Sequence, residues 1–341
     1  MVLGSANGTV PGVADDVTDG PRLADLGEGG LLAAMLPRLP GGDATIVGPG
    51  DDAALVRVPD GRVVATTDVM VEGRDFRRDW SSPQDVGWKA AAQNLADVAA
   101  MGAVPTALLV ALVAPPNLPA SWALGLADGL AAACAGSGAA VVGGDLSSGC
   151  EITVAVTALG DLQGRAPVLR SGALPGQDVA HAGVLGHSAG GLAALAAWGP
   201  AEAGLRSPHL LQAHRRPRPP YALGVAAAEA GCTAMLDVSD GLLRDAGRIA
   251  AASGVSIDFD DSALGWYAER LRADAGLLGV DPWEWVVAGG EDHGLLAVFP
   301  RGCAPEGFTV IGRTHASPGR PAVTLEGQQP SFGPGWDHFA P

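Results

Sequence analysis

Along residues 48–76 two short apolar runs flank Pro59-Asp60-Gly61, the second being Val63-Val64-Ala65-Thr66-Thr67-Asp68-Val69-Met70-Val71. Asp-Gly between β-rich runs predicts a hairpin. Before it, residues 23–36 predict a short amphipathic helix stopped by Pro37. After it, residues 83–101 predict a long helix with Ser82 as its cap and Gly102 as its stop. Lys89, Gln93 and Asp97 share one stripe of that helix and by themselves read as an intrahelical ion-pair ladder. Residues 105–113 predict a buried strand, 118–136 a second helix, 139–142 a strand running into Gly143-Gly144-Asp145, and 151–160 a further strand. Proline and glycine thicken over 160–176, and the pattern restarts. A strand over 178–184, a glycine-rich turn and a helix to Trp198 follow, then a proline-rich passage over 208–220 and a helix to Gly231. An apolar strand over 233–236 leads into Asp237-Val238-Ser239-Asp240-Gly241-Leu242, and Gly289-Gly290-Glu291-Asp292-His293 precedes a strand over 295–299. This order argues for α+β layers more than a doubly wound parallel sheet.

A chain of 341 residues, 48% of them apolar, is expected to form two globular domains. The divisions predicted are a disordered tail over 1–21, an N-terminal domain over 22–162 and a C-terminal domain over 163–341. The net charge of −16 repels nucleic acid and anionic membranes, so neither is expected as a partner. The one basic cluster, His214-Arg215-Arg216-Pro217-Arg218, is short and proline-broken and reads as a solvated connection. Four cysteines without C-x-x-C spacing fit reduced thiols in a cytoplasm, and no zinc site is expected. The N-terminus lacks the features of a signal peptide, and no apolar run approaches the roughly 20 residues of a membrane span.

The candidate chemistry is acidic. An aspartate inside a run as apolar as that around Asp68 loses several kcal/mol to desolvation unless a cation or donors meet it, so Asp68 reads as a ligand of something positive. Asp51-Asp52, Asp68, Asp97, Asp145, Asp237, Asp240 and Glu291-Asp292 recur at strand ends or after glycines. Such oxygen-only donors suit Mg²⁺, which bridges carboxylates to phosphate oxygens. Lys89 is the only lysine, so no Walker A loop exists and charge neutralisation falls to metal ions, with Arg170 as a supplement. A different reading lies at Gly186-His187-Ser188-Ala189-Gly190, a G-x-S-x-G between a predicted strand and helix. With Asp292 and His315 or His338 it permits a serine hydrolase using Ser188. Otherwise it is a helix start whose N–H groups face an anion.

Together the motifs resemble thiamine-monophosphate kinases, of the superfamily of aminoimidazole ribonucleotide synthetase and selenophosphate synthetase. The resemblance rests on Leu26-Gly27-Glu28, Gly50-Asp51-Asp52-Ala53, Thr66-Thr67-Asp68, Val71-Glu72-Gly73, the run from Gln93 to Ala103, Gly143-Gly144-Asp145, Arg170-Ser171-Gly172, Asp237 to Leu242, Gly289-Gly290-Glu291-Asp292 and Gly335-Trp336-Asp337-His338-Phe339. It implies a two-domain synthetase-like α+β fold whose N-terminal domains bind ATP and Mg²⁺ and pair as a homodimer into a β-barrel. The C-terminal domain completes the active site. It also implies phosphorylation of thiamine monophosphate by ATP with several Mg²⁺ ions. By motif, Asp52, Thr66, Thr67, Asp68, Asp97, Asp145, Asp237 and Asp240 correspond to metal ligands, of which Asp97, Asp145 and Asp240 are expected to be catalytic. Gly144, Asp145, Arg170 and Ser239 correspond to ATP contacts, and Glu291 and Trp336 to substrate contacts, an indole suiting a cationic thiazolium.

Three departures stand out. Asp75, itself expected at the substrate, replaces a substrate-contacting histidine, the arginine expected after Asp145 is absent, and His293-Gly294 replaces Tyr-Glu. The first two remove positive or donor groups from around a phosphate. Another phosphate-activating enzyme of the superfamily, or a weakly active binder of thiamine phosphates, therefore stays open as an alternative.

Overall fold

The computed structural model describes residues 20–49, 53–317, 319–333 and 335–336. Most of the expected 1–21 tail, Asp51-Asp52, and Asp337-His338-Phe339 lie outside these residues. The helix α1 (Leu23–Met35) is broken at Gly27 (φ 62°) and is followed by a 3₁₀ turn containing Pro37. Next come β1 (Thr45–Val47), β2 (Leu55–Val56), β3 (Val64–Val71), α2 (Pro83–Ala100), β4 (Val104–Ala114), α3 (Ala120–Cys134), β5 (Ala140–Ser148) and β6 (Thr153–Asp161). The predicted hairpin does not form. Its first run, as β2, pairs with β1, whereas β3 pairs antiparallel with β6. Asp60-Gly61 still turns, but the Asp60 carboxylate accepts the N–H groups of Arg62 and Gly164 and so holds the turn onto the segment after β6.

The first sheet has the order β3-β6-β4-β5, with only β4 and β5 parallel. Alternation along β3 sends Val64, Thr66, Asp68 and Met70 toward α2 and leaves Ala65, Thr67 and Val69 on an open face. Helices α2 and α3 cover the other face with a core that includes Leu95, Leu108, Leu126 and Val156. The ends of α2 follow from its sequence: Ser82 accepts the Asp85 N–H, Asp85 answers at the Ser82 N–H, and Pro83 needs no donor there.

The second sheet uses β7 (Asp178–Ala182), β8 (Ala234–Val238), β9 (Val255–Phe259), β10 (Gly294–Phe299), β11 (Thr309–Ala316) and β12 (Val323–Leu325) in the order β12-β9-β11-β7-β10-β8. It is antiparallel except for β12 on β9. Strands β7, β8 and β10 are buried throughout, in keeping with their mostly apolar sequence, in which Asp178, His181 and Asp237 are the buried polar exceptions. One face packs on α4 (His187–Arg206), α5 (Pro208–Arg215), α7 (Leu242–Ser253), α8 (Asp261–Leu278) and α9 (Pro282–Ala288); the other packs on α6 (Tyr221–Glu229). The helix expected to stop at Trp198 kinks there at Gly199 (φ 72°) and continues beyond Pro200. The proline-rich passage contains α5, with Pro208 in its first turn.

Helix α2 joins the two halves. The Ala99 carbonyl lies so close to α6 that a Cβ on Gly224 would sit 2.0 Å from it. The basic cluster is part of this seam and not a solvated connection. Arg216 pairs with Asp85, the Pro217 carbonyl accepts the Trp88 indole N–H, and Arg218 lies over the Trp88 ring. Among the described residues no helix is long and apolar enough to cross a membrane.

Candidate active site

Strand β3 is one edge of the first sheet and β8 one edge of the second, and α2 runs beside both. Between them opens a cleft of about 740 Å³ lined by Thr66, Asp97, Met101, Arg170, Leu236 and Asp237 among others. Four carboxylates share this region. The Thr66 hydroxyl donates to Asp97 at 2.8 Å, and the Asp68 N–H donates to Asn94 at 3.1 Å. Asp97 is pushed up to about 7 by burial first and then by the charges of Asp237 and Asp68. Asp68 is raised by burial and by Asp237 and Asp240, against the pull of His293 and a hydrogen bond from Gln93. The stripe on α2 is therefore no ladder: Gln93 faces Asp68, Asp97 faces Thr66, and Lys89 pairs with Glu291.

The remaining carboxylates already hold cationic or donor partners. Asp237 Oδ2 stands 3.0 Å from His293 Nδ1. Burial would lower His293, but the hydrogen bond and charge of Asp237 turn the net shift upward. Asp240 is paired with Arg248, which also holds Asp245. A set of hard oxygen donors in which acidic neighbours raise Asp68 and Asp97, and which recruits basic side chains, fits a divalent cation, which would relieve the same repulsion. Among the described residues no three His, Cys, Asp or Glu groups stand close enough together to hold a metal ion.

Three loops carrying predicted residues lie on one another through their backbones. The Glu291 N–H donates to the Ser239 carbonyl at 2.8 Å, His293 to Val238 at 3.0 Å, and Trp336 to Asp240 at 2.9 Å. The glycines permit this: a Cβ on Gly290 would meet the Ser239 carbonyl at 2.3 Å, and one on Gly335 the Asp240 carbonyl at 2.2 Å. Glu291 and His293 adopt left-handed backbone conformations (φ 66° and 55°), which non-glycine residues occupy mainly where surroundings dictate it. The Trp336 ring is exposed.

Other predicted residues stand apart. The Thr67 side chain lies on the opposite sheet face from Thr66 and Asp68 and donates to the Val156 carbonyl. Asp145 is exposed on β5, the far edge of the sheet, in the cross-strand row that runs through Ala111 and Ala155 to Val69. Three strand spacings separate that edge from β3, roughly 14 Å. Gly144 has a packing reason of its own, since a Cβ there would sit 1.8 Å from the Val110 carbonyl. The Asp75 carboxylate accepts the Val71 N–H at 2.7 Å and closes the turn after β3. Asp52 lies outside the described residues.

The hydrolase reading is overturned. Ser188 is 0% exposed. The carboxyl group of Asp292 caps the start of α4 by accepting the N–H groups of Gly186 and Ser188, and burial raises it to about 7. His214 presents the same nitrogen, Nδ1, to both Ser188 and Glu291, whereas a relay needs opposite ring nitrogens. His315 is exposed on β11, and His338 lies outside the described residues. The helix-start alternative holds, with the chain's own Asp292 as the group it receives. Sequence reasoning missed Asn94, His214, Arg248 and the partner of Lys89. Only Asn94 carried a signal, in its position beside Gln93 and one turn before Asp97.

The profile of the AIR synthase related protein, N-terminal domain, matches residues 50–162. The thiamine-monophosphate kinase of Mycobacterium tuberculosis is 48% identical over 322 residues, 94% of each chain. That of Corynebacterium glutamicum is 42% identical over 328 residues, 95% of this chain and 97% of its own. A solved structure of AaThiL complexed with AMPPCP and TMP superposes with a TM-score of 0.73 at 31% identity, covering 94% of this chain and 100% of that one.

Proposed function

The chain belongs to the thiamine-monophosphate kinase family, and from that premise we propose how its residues divide the work of phosphorylating thiamine monophosphate with ATP. A phosphate oxygen of thiamine monophosphate attacks the γ-phosphorus of ATP, the bond from that phosphorus to the β,γ-bridging oxygen breaks, and thiamine diphosphate and ADP result. Such transfer is carried by positioning and electrostatic stabilisation and requires no protein nucleophile. The solved relative holds both kinds of ligand at once, AMPPCP and TMP, which accords with direct transfer.

The observation that carries this reading is the meeting of two unlike half-sites. Asp97 and Asp237 line the cleft and the charge of Asp68 acts on Asp97 beside it, while Glu291 and Trp336 are tied by backbone hydrogen bonds to the loop bearing Ser239 and Asp240. Asp68, Asp97, Asp237 and Asp240 would hold Mg²⁺, and Asp52 is assigned with them by motif. When bound, Mg²⁺ supplies positive charge to the phosphate oxygens. Arg170 at the cleft supplies a guanidinium to the same oxygens, and Ser239 offers a hydroxyl. Glu291 and the Trp336 indole meet the cationic organic half of thiamine monophosphate.

Gly144 and Asp145 take ATP-side roles only if the assembly brings β5 to a cleft. The open sheet face beside them carries Val69 and Leu109, 53% and 38% exposed, and a second copy covers that face by sheet pairing. Calorimetry on the purified protein tests the reading: Mg-ATP and thiamine monophosphate each bind, and failure of both to bind would refute it.

A further inference from the structure

Lys89, the only lysine of the chain, is 4% exposed. Its Nζ lies 2.7 Å from Glu291 Oε1, across the seam between the layers of the two sheets. The other oxygen of that carboxylate, Oε2, faces His214 Nδ1 of α5 at 3.5 Å. Two helices therefore hold the two oxygens from the protein side, while the Glu291 side chain remains 38% exposed on its outer edge. The backbone beneath is equally constrained, with Glu291 in a left-handed conformation and its N–H committed to Ser239. An ordinary surface ion pair leaves both side chains solvated and adds little. Here one partner is buried and the other is left open on one side only.

We propose that Lys89, supported by His214, is a positioning residue of the kinase, which fixes the Glu291 carboxylate so that its open edge receives the positively charged organic half of thiamine monophosphate. The inference rests on the assignment of Glu291 to that substrate. A free glutamate would have to give up rotamer freedom on binding, and Lys89 imposes that order during folding. Burial would raise the Glu291 pKa, but the charge and hydrogen bond of Lys89 hold it at about 2, so the carboxylate meets a cation as an anion; His214, itself lowered to about 3 by burial and by Lys89, is neutral there and adds a contact and no charge. Because Lys89 sits on α2 and Glu291 between α9 and β10, the contact also makes substrate recognition depend on how the two halves are seated.

Steady-state kinetics of the full-length protein and of Lys89→Gln, Lys89→Arg, Glu291→Gln and the double variant test this. Lys89→Gln should raise KM for thiamine monophosphate by about tenfold, or roughly 1.4 kcal/mol, while KM for Mg-ATP stays within about twofold. Lys89→Arg should restore part of the loss. Added to Glu291→Gln, Lys89→Gln should cost nothing more, as expected of a residue acting through another. Parallel increases in both KM values, or full additivity in the double variant, would overturn the proposal and leave Lys89 a structural ion. If Lys89→Gln does not fold, the double variant, which removes both charges together, takes its place. It should match an otherwise folded Glu291→Gln in both KM values, and a further loss of Mg-ATP affinity would overturn the proposal. If Glu291→Gln leaves KM for thiamine monophosphate unchanged, the assignment of Glu291 itself fails. If Glu291→Gln raises it and Lys89→Gln does not, only the role of Lys89 fails.

Discussion

Asp240 and Asp75 are both aspartates at motif positions, yet the structure gives them different work. Asp240 shares Arg248 with Asp245, so removing its charge leaves the guanidinium with a partner and the fold intact. Asp240→Asn should therefore raise the Mg²⁺ concentration for half-maximal activity by about tenfold, the equivalent of roughly 1.4 kcal/mol, with thermal stability preserved. Full activity at low Mg²⁺ in that variant would remove Asp240 from the metal set. Asp75 replaces a residue that the family resemblance places on substrate, and a carboxylate facing a phosphate at ~4 Å would repel it by about 4 kcal/mol at an effective dielectric near 20. The structure instead commits that carboxylate to the Val71 N–H. Asp75→Asn keeps an acceptor there and should leave KM for thiamine monophosphate within about twofold, about 0.4 kcal/mol. A tenfold fall would show that Asp75 faces the phosphate after all.

Helix α2 is the element on which the site depends, because it is packed without slack on both sides. A Cβ on Gly129 of α3 would come within 2.1 Å of the Gln84 carbonyl of α2, and one on Gly87 within 2.1 Å of Leu126. Gly129→Val should cost about 3 kcal/mol or more by overpacking, read as a lowered urea midpoint, and a loss below about 0.5 kcal/mol would contradict so close a contact. The bounds of α2 were legible because Ser82, Pro83 and Gly102 are local signals. Its ion pairs were not, because i and i+4 spacing says which residues share a stripe and nothing about what faces it. The same limit explains the missing hairpin. Asp60-Gly61 announces a turn, but whether the runs beside it pair with each other depends on tertiary partners, and β6 takes β3. Helix α5 carried a readable signal, Pro208 at a helix start, that the surrounding prolines obscured.

Across the molecule, motif order along the chain made the acidic site legible long before any contact could be read, since Asp68, Asp97, Asp237 and Glu291 come from four separate segments. What the order could not show is that Asp145 and Thr67 lie away from that cleft in a single chain. On the proposed assembly, an ATP-side role for Asp145 would need a second copy. Val69→Glu should place a charge on the face proposed to pair, giving a mass near 34 kDa by light scattering where the parent is expected to give twice that. A parent protein that is itself monomeric at micromolar concentration would remove the paired assembly. The central claim is direct transfer between two bound phosphates, and the most direct test is a rapid-quench single turnover with γ-³²P-labelled ATP, Mg²⁺, thiamine monophosphate and excess protein. The label is expected to pass in one phase from ATP to thiamine diphosphate, with none on the protein. Label appearing first on the protein, or only in inorganic phosphate, would contradict it.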